Sequence, residues 1–354
     1  MEYLNNIINR YKSMRSMKEL NQTYTQQYAL VGFGSHCVNN LLPVMQYLQL
    51  PIKYICCTSE KKARLISQKY KGVKSTTSLH DILHDDTVSG IFVATNAHSH
   101  FHIASEVIKA EKSLFVEKPP CENERQLRLL IDTIKLYGSK HIVVGLQRRF
   151  APVTRILQNR LKREGKRHYH YRYLTGLYPE GNALLDLFIH PLDYVIFLFG
   201  KAKVKMADTI SCGDGGQTLF LILEHKDITG VMELSTGYSW QEAQELLSIS
   251  TDKGLYQLDR MERLDFTPRH SVVFGIPLEK VFHSNVTVVN LYGRNSFTPT
   301  VGNNQIVSQG FFSEIKTFAD MVEKRCKEDS SLGLESVKDV YSLISEIAVY
   351  ESNK

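Results

Sequence analysis

Between Tyr28 and Gln147 the sequence alternates short apolar runs with helical segments of about ten residues, and this alternation constrains the fold more than anything else in the chain. The runs YALVGF, IKYICCT, SGIFVAT, SLFVEK and HIVVGLQ read as strands. Between them Asn39 to Gln49, EKKARLISQKY, SLHDILHD, HFHIASEVIKAE and NERQLRLLIDTIKLYG read as helices. Strands that are apolar on both faces need helices on both sides, which means parallel βαβ units. Residues 28–150 are therefore predicted to form a doubly wound, nucleotide-binding Rossmann sheet.

After Phe150 the pattern changes. PVTRILQNRLKRE looks helical, and strand-like runs follow: HYHYRYL, KVKMADTIS, QTLFLILEH, ITGVMELST, ELLSISTD and GLYQLD. Few helices separate them. The expected fold is α/β overall: the Rossmann sheet, then an α+β domain over 151–354 with a large, mostly antiparallel open sheet. One helix, NALLDLFIHPLDYVIFLF, interrupts the strands; FFSEIKTFADMVEKR and SVKDVYSLISEIAVY close the chain. The 354 residues suit two domains of about 100–200 residues each. Residues 1–27 form a polar extension, with Leu4, Ile7, Ile8, Tyr11 and Met14 at helical spacing and Arg10, Lys12, Arg15 and Lys18 between them. This helix is expected to pack on the next domain or on a neighbouring subunit.

The net charge of +6 is spread along the chain instead of gathered in a stripe, so no nucleic-acid partner is expected. In the densest basic stretch, HYHYRY places His168, His170 and Arg172 on one strand face and tyrosines on the other. No apolar run approaches the ~20 residues of a membrane helix, and the opening lacks a signal-peptide pattern. The six cysteines, Cys37, Cys56, Cys57, Cys121, Cys212 and Cys326, have no regular spacing. They suit free thiols in a reducing compartment, so a cytoplasmic location is expected.

Gly32, Phe33, Gly34, Ser35 and His36 lie between the first strand and its helix, where backbone N–H groups can meet a pyrophosphate. Cys37 stands where a third glycine is usual; that position only lets helix and strand approach, so a small side chain is tolerable. The second strand ends on Thr58 and Ser59, where an acid that holds the ribose hydroxyls would be expected. Lys61, Lys62 and Arg64 follow. Hydroxyls and cations in place of the acid favour NADP slightly over NAD.

Two further motifs carry chemistry. FVEKPP puts Glu117, Lys118 and Pro119 at the carboxyl end of a strand, where ligands bind in such sheets. A desolvated lysine there can polarise a substrate oxygen. In DLFIHPLD, Asp186 and His190 are four residues apart, so on one helix they share a face. Such a carboxylate can orient a histidine that takes a hydroxyl proton. Asp193 follows one turn later.

VGFGSHCVNNLLP, VATNAHSHFHIA, LFVEKPP, GLQRRFAPV and ALLDLFIHPLDYVIFLFG, in this order and spacing, resemble the glucose-fructose oxidoreductase / inositol dehydrogenase / MocA (Gfo/Idh/MocA) family over roughly residues 28 to 350. The resemblance implies a Rossmann domain that carries NAD or NADP and a sheet domain that supports the substrate. It also implies a catalytic trio of Lys118, Asp186 and His190. Thr95, Asn96, His100, Glu117, Lys118 and Gln147 would lie along the cofactor, and Lys118, Arg149, Asp186, His190 and Asp193 near the substrate. No metal is implied, although His98, His100 and His102 cluster in sequence. Two departures stand out: the run Thr95-Asn96-Ala97-His98-Ser99-His100 lacks the usual proline, and Phe188 stands where glycine is common.

The expected activity is hydride transfer between nicotinamide and a secondary alcohol or ketone of a sugar, sugar derivative or cyclitol. Two alternatives share these motifs: an NAD-dependent glycosidase working by transient oxidation and elimination, and a non-catalytic nucleotide sensor. An exposed sheet face would suit a homodimer or homotetramer. The residues from Tyr173 to Asn182, which bear on substrate identity, carry no legible code.

Overall fold

The computed structural model describes residues 2–20, 23–138, 141–281, 287–294, 304–327 and 329–352. Six strands, β1 (Gln27–Val31), β2 (Ile52–Cys56), β3 (Lys74–Thr76), β4 (Val88–Val93), β5 (Ser113–Glu117) and β6 (Ile142–Gly145), form a sheet in the order β3-β2-β1-β4-β5-β6. Every pairing in it is parallel. The strand order reverses between β1 and β4, and the carboxyl ends of these strands open the crevice in which such sheets bind ligands. β3 has no apolar run to announce it, because it is a three-residue edge strand paired on one side only.

Eight strands form the second sheet, in the order β16-β13-β12-β11-β7-β10-β9-β8. They are β7 (Lys166–Leu174), β8 (Lys203–Ser211), β9 (Gln217–Glu224), β10 (Thr229–Ser235), β11 (Gln244–Thr251), β12 (Gly254–Asp259), β13 (Arg263–Pro268) and β16 (Val289–Gly293). Only β7 and β10 pair in parallel. Along β7 the alternation behaves as the sequence predicts: Tyr169 and Tyr171 are buried, while His168 and His170 face solvent. β13, β16 and the hairpin β14 (Val272–Val273) and β15 (Ile276–Pro277) were not anticipated: β14 to β16 are short and mostly exposed, and β13 alternates only Leu264 and Phe266 over six residues.

The first sheet takes part of its cover from far along the chain. On the helix Phe311–Val322, Phe318 packs edge-on to Phe92 at 4.9 Å and to Phe115 at 5.9 Å between ring centres. The Tyr28 hydroxyl donates to the Ala319 carbonyl at 3.4 Å. Aromatic pairs of this kind contribute about 0.5–1.5 kcal/mol each beyond the area they bury.

One expectation from the sequence does not hold, and one of the two packings expected for the opening helix is not seen. The single helix expected over 182–199 is two, Ala183–Asp186 and Ile189–Phe199. Pro191 explains the break: it has no N–H for the Leu187 carbonyl and its ring would crowd that group, so it fits only in a helix's first turn. The opening helix, Glu2–Leu20, does not bury its apolar residues on this chain: Leu4, Ile7, Ile8, Tyr11 and Met14 are all exposed. The side chains of Arg15 and Lys18 lie outside the described residues. Among the described residues no helix is long and apolar enough to cross a membrane.

Candidate active site

At the carboxyl end of β1 the chain turns through Gly32, whose φ of 97° lies in the left-handed region. A Cβ there would fall 2.3 Å from the Ala94 carbonyl oxygen, so only glycine lets β1 and β4 come this close. At Gly34 a Cβ would meet no protein atom within 4 Å; this stretch of backbone faces open space. Cys37, by contrast, is fully buried under the helix that follows. The crevice beyond has a volume of about 470 Å³ and is walled by Gly32 to His36, by Thr58 and by Thr95 and Asn96. That volume falls within the range of cofactor clefts. Lys62 also lines it, and its ammonium donates to the Phe33 carbonyl. An exposed glycine backbone, hydroxyls and one cation suit the pyrophosphate and ribose of a dinucleotide.

Other expected cofactor residues stand outside this crevice. Ser59 caps the helix Glu60–Lys69, its hydroxyl accepting from the Lys62 N–H at 3.5 Å. His100 is 1% exposed; its Nδ1 lies 2.7 Å from the Pro119 carbonyl and its Nε2 3.1 Å from that of Thr95. It thus ties the end of β4 to the turn after β5 and is unavailable to a ligand. Gln147 is buried in the turn Gln147–Phe150, packed so tightly on Gly310 that a Cβ there would reach its carbonyl. Glu117 is buried as well, with Oε1 3.0 Å from Nε2 of His36. His98 pairs with Glu122 and His100 with carbonyls, so the histidines near residue 100 point apart. Among the described residues no group of three His, Cys, Asp or Glu is arranged to hold a metal.

Lys118, at the end of β5, reaches across to the second half of the chain: Nζ donates to the Asp186 carbonyl at 2.6 Å. Burial lowers the pKa of its ammonium, against the opposing pull of Glu117 and Asp186. His190 lies in the first turn of Ile189–Phe199 and is partly buried. Its pKa is held well below the ordinary histidine value, first by burial and then by the nearby cations Arg148 and Lys118. The ammonium at the end of one sheet thus bonds the segment that leads into His190, and lies near enough for its charge to act on the imidazole. The carboxylate of Asp186, however, does not orient His190. With the helix broken, it accepts the Asn182 N–H at 3.0 Å, and the Tyr178 hydroxyl lies 3.5 Å away.

Arg149 and Asp193, expected beside the substrate, hold each other instead. The guanidinium meets both carboxylate oxygens, with Nε to Oδ2 at 2.8 Å, and both side chains are nearly inaccessible. The neighbouring Arg148 was missed. It bonds Glu245 at 2.6 and 2.8 Å, stacks 5.6 Å from the Tyr173 ring centre and carries its charge close to both Lys118 and His190. The only sequence signal was the doublet in GLQRRF, and nothing in the doublet tells which arginine faces the cleft.

Residues 26–145 match the family model described as "Oxidoreductase family, NAD-binding Rossmann fold". YceM of Salmonella typhimurium, named as an oxidoreductase, is 24% identical over 242 residues, 67% of this chain and 77% of its own length. The inositol 2-dehydrogenase/D-chiro-inositol 3-dehydrogenase of Lactiplantibacillus plantarum is 26% identical over 134 residues, 35% of this chain and 38% of its own. In three dimensions, a levoglucosan dehydrogenase solved with NADH and levoglucosan superposes with a TM-score of 0.74 at 14% identity, covering 93% of this chain and 97% of that one. At that identity the likeness shows the shared two-sheet fold. Over residues 26–145 the chain thus carries a nucleotide-binding domain similar to that of the Gfo/Idh/MocA oxidoreductases.

Proposed function

We propose that the protein is an NAD(P)-dependent dehydrogenase that acts on a secondary alcohol or ketone of a sugar, sugar derivative or cyclitol. The observation that carries this reading is the bond from Lys118 to the Asp186 carbonyl, which joins the end of β5 to the segment that presents His190. Nicotinamide, when bound in the crevice, supplies the hydride acceptor or donor. His190, neutral at pH 7, takes the hydroxyl proton, and Lys118 polarises the same oxygen. The two groups come from different halves of the chain, so a substrate held between them would be fixed in place as well as activated. Glu117 and His36 form a contact between this pair and the glycine turn. The inositol dehydrogenase and levoglucosan dehydrogenase among the similar proteins support a polyol or sugar substrate.

Thr58 and Lys62 on the crevice wall support a preference for NADP, since a cation and a hydroxyl suit a 2′-phosphate where an acid would repel it. The outer face of the second sheet exposes Met206, Ile210, Phe220 and Val231, which supports a homo-oligomer. The test is turnover of sugars and cyclitols followed by NAD(P)H absorbance. Lys118→Ala and His190→Ala should each keep cofactor binding while kcat falls at least about a hundredfold, the effect of losing a general acid or base. Full activity in both variants overturns the roles of Lys118 and His190. Release of free sugar without net NAD(P)H favours the eliminating glycosidase, and cofactor binding with no turnover favours the sensor.

A further inference from the structure

A second cavity, of about 430 Å³, shares no lining residue with the nucleotide crevice. Neither Lys118 nor His190 lines it, yet Arg148 forms part of its wall and acts on both of those residues. Tyr173 on its wall also packs edge-on to Phe188, two residues before His190, at 6.3 Å between ring centres, so the cavity adjoins the reaction centre and is distinct from it.

Trp240, the only tryptophan of the chain, stands on the rim. It is 53% exposed, an unfavourable state for so large an apolar ring. It is also firmly held. The indole N–H donates to the Leu177 carbonyl at 2.8 Å, and the ring lies so close to Gly176 that a Cβ there would fall 2.4 Å from it. Tyr173 lies on the same wall, fixed by the guanidinium of Arg148. Gln241 and Gln305 present primary amides, which both donate and accept hydrogen bonds. A pinned aromatic face with amides around it matches the apolar face and hydroxyl rim of a pyranose.

Three arginines line the cavity as well, but each is matched by a carboxylate. Arg148 pairs with Glu245 at 2.6 Å, Arg260 with Asp259 at 2.9 Å and Arg294 with Glu262 at 3.3 Å. A diphosphate or an acidic sugar would have to compete with these partners, whereas a neutral ring would not.

We infer that this cavity is a subsite for a second, uncharged pyranose ring, so that the substrate is a glycoside of at least two sugar units. The reacting ring sits at Lys118 and His190 and its neighbour lies on Trp240. This rests on the dehydrogenase reading and adds the substrate's size and charge.

A single tryptophan makes the test direct, because any change in indole emission comes from Trp240. The cofactor-free protein is titrated with methyl cellobioside, methyl maltoside, methyl lactoside, the matching methyl monosaccharides, and TDP-glucose. At least one disaccharide should shift the emission at a concentration about tenfold below its monosaccharide. Among turned-over substrates, Trp240→Ala should lower the disaccharide-to-monosaccharide ratio of kcat/KM by about tenfold, with Trp240→Phe recovering part of it. NAD(P)H binding serves as the check that both variants fold. Emission that answers to none of the disaccharides, or to TDP-glucose alone, overturns the inference. A Trp240 response without NAD(P)H formation leaves the subsite standing and removes the dehydrogenase reading instead.

Discussion

The guanidinium of Arg149 grips the carboxylate of Asp193 by both oxygens, while its remaining nitrogen donates to the Ser331 carbonyl and the Ser336 hydroxyl at 2.9 and 2.8 Å. This one side chain joins the turn after β6, the helix Ile189–Phe199 and the segment before the closing helix. Breaking a buried pair leaves a charge uncompensated, at a cost of about 3–5 kcal/mol. Arg149→Met or Asp193→Leu alone should therefore lower Tm steeply in a thermal melt, and the double variant should recover much of the loss. If the two single changes are additive, the pair is not coupled as described.

His100 is a positioning residue, joined to the carbonyls of Thr95 and Pro119. Without its ring the turn that carries Lys118 is free to shift, and a displacement of about 1 Å can cost about a hundredfold in rate. His100→Ala should lower kcat far more than it raises KM for the sugar. A change confined to KM would place His100 on the substrate side of the site instead.

The pH dependence of turnover follows from His190. Its pKa in the folded protein is lowered, so the imidazole is neutral at pH 7 and remains so until the pH falls well below the ordinary value of 6.5. Oxidation of an alcohol should hold its rate through neutrality and decline only in that acidic window. The titratable groups that act on His190 are Arg148, Lys118 and His36. Removing the Arg148–Glu245 pair with Met and Leu should move the acidic limb of the kcat profile upward, toward neutrality. A profile unmoved in the double variant means that Arg148 does not tune His190.

Glu314 is fully buried on the helix Phe311–Val322. Burial, and then the nearby Glu117, raise its pKa well above the usual carboxyl value, against Arg149 and the Leu146 N–H. A raised folded-state pKa means that the associated stability is complete below 4.5 and is lost as pH rises through the folded value. Glu314→Gln mimics the protonated acid, so its Tm should match the parent near pH 4 and exceed it at pH 8. For domains of this general size each kcal/mol corresponds to about 2–4 °C. Equal melting curves at pH 8 would show that Glu314 is ionised at no cost.

The nucleotide half was largely legible because its signals are local. Apolar runs spaced by amphipathic helices require parallel strands, and a left-handed turn at Gly32 requires glycine, whatever lies elsewhere in the chain. Of the six strands in that sheet only β3 escaped, since a three-residue edge strand buries too little to mark its sequence. The position of Lys118 at the end of β5 was legible for the same reason.

What the sequence alone determined, then, is the class of each half and the placement of its strand ends. Which polar side chains face the cleft was decided only by tertiary packing. Arg148 and Arg149 are adjacent in the chain and both are buried, yet one pairs with Glu245 on the wall of the second cavity and the other with Asp193, because each guanidinium goes to whichever carboxylate the fold brings near it. The four-residue spacing of Asp186 and His190 suggested a pair, but Pro191 interrupts the helix and the carboxylate satisfies an N–H at Asn182. Buried polar groups must find partners, and those partners are set by contacts that no local pattern records.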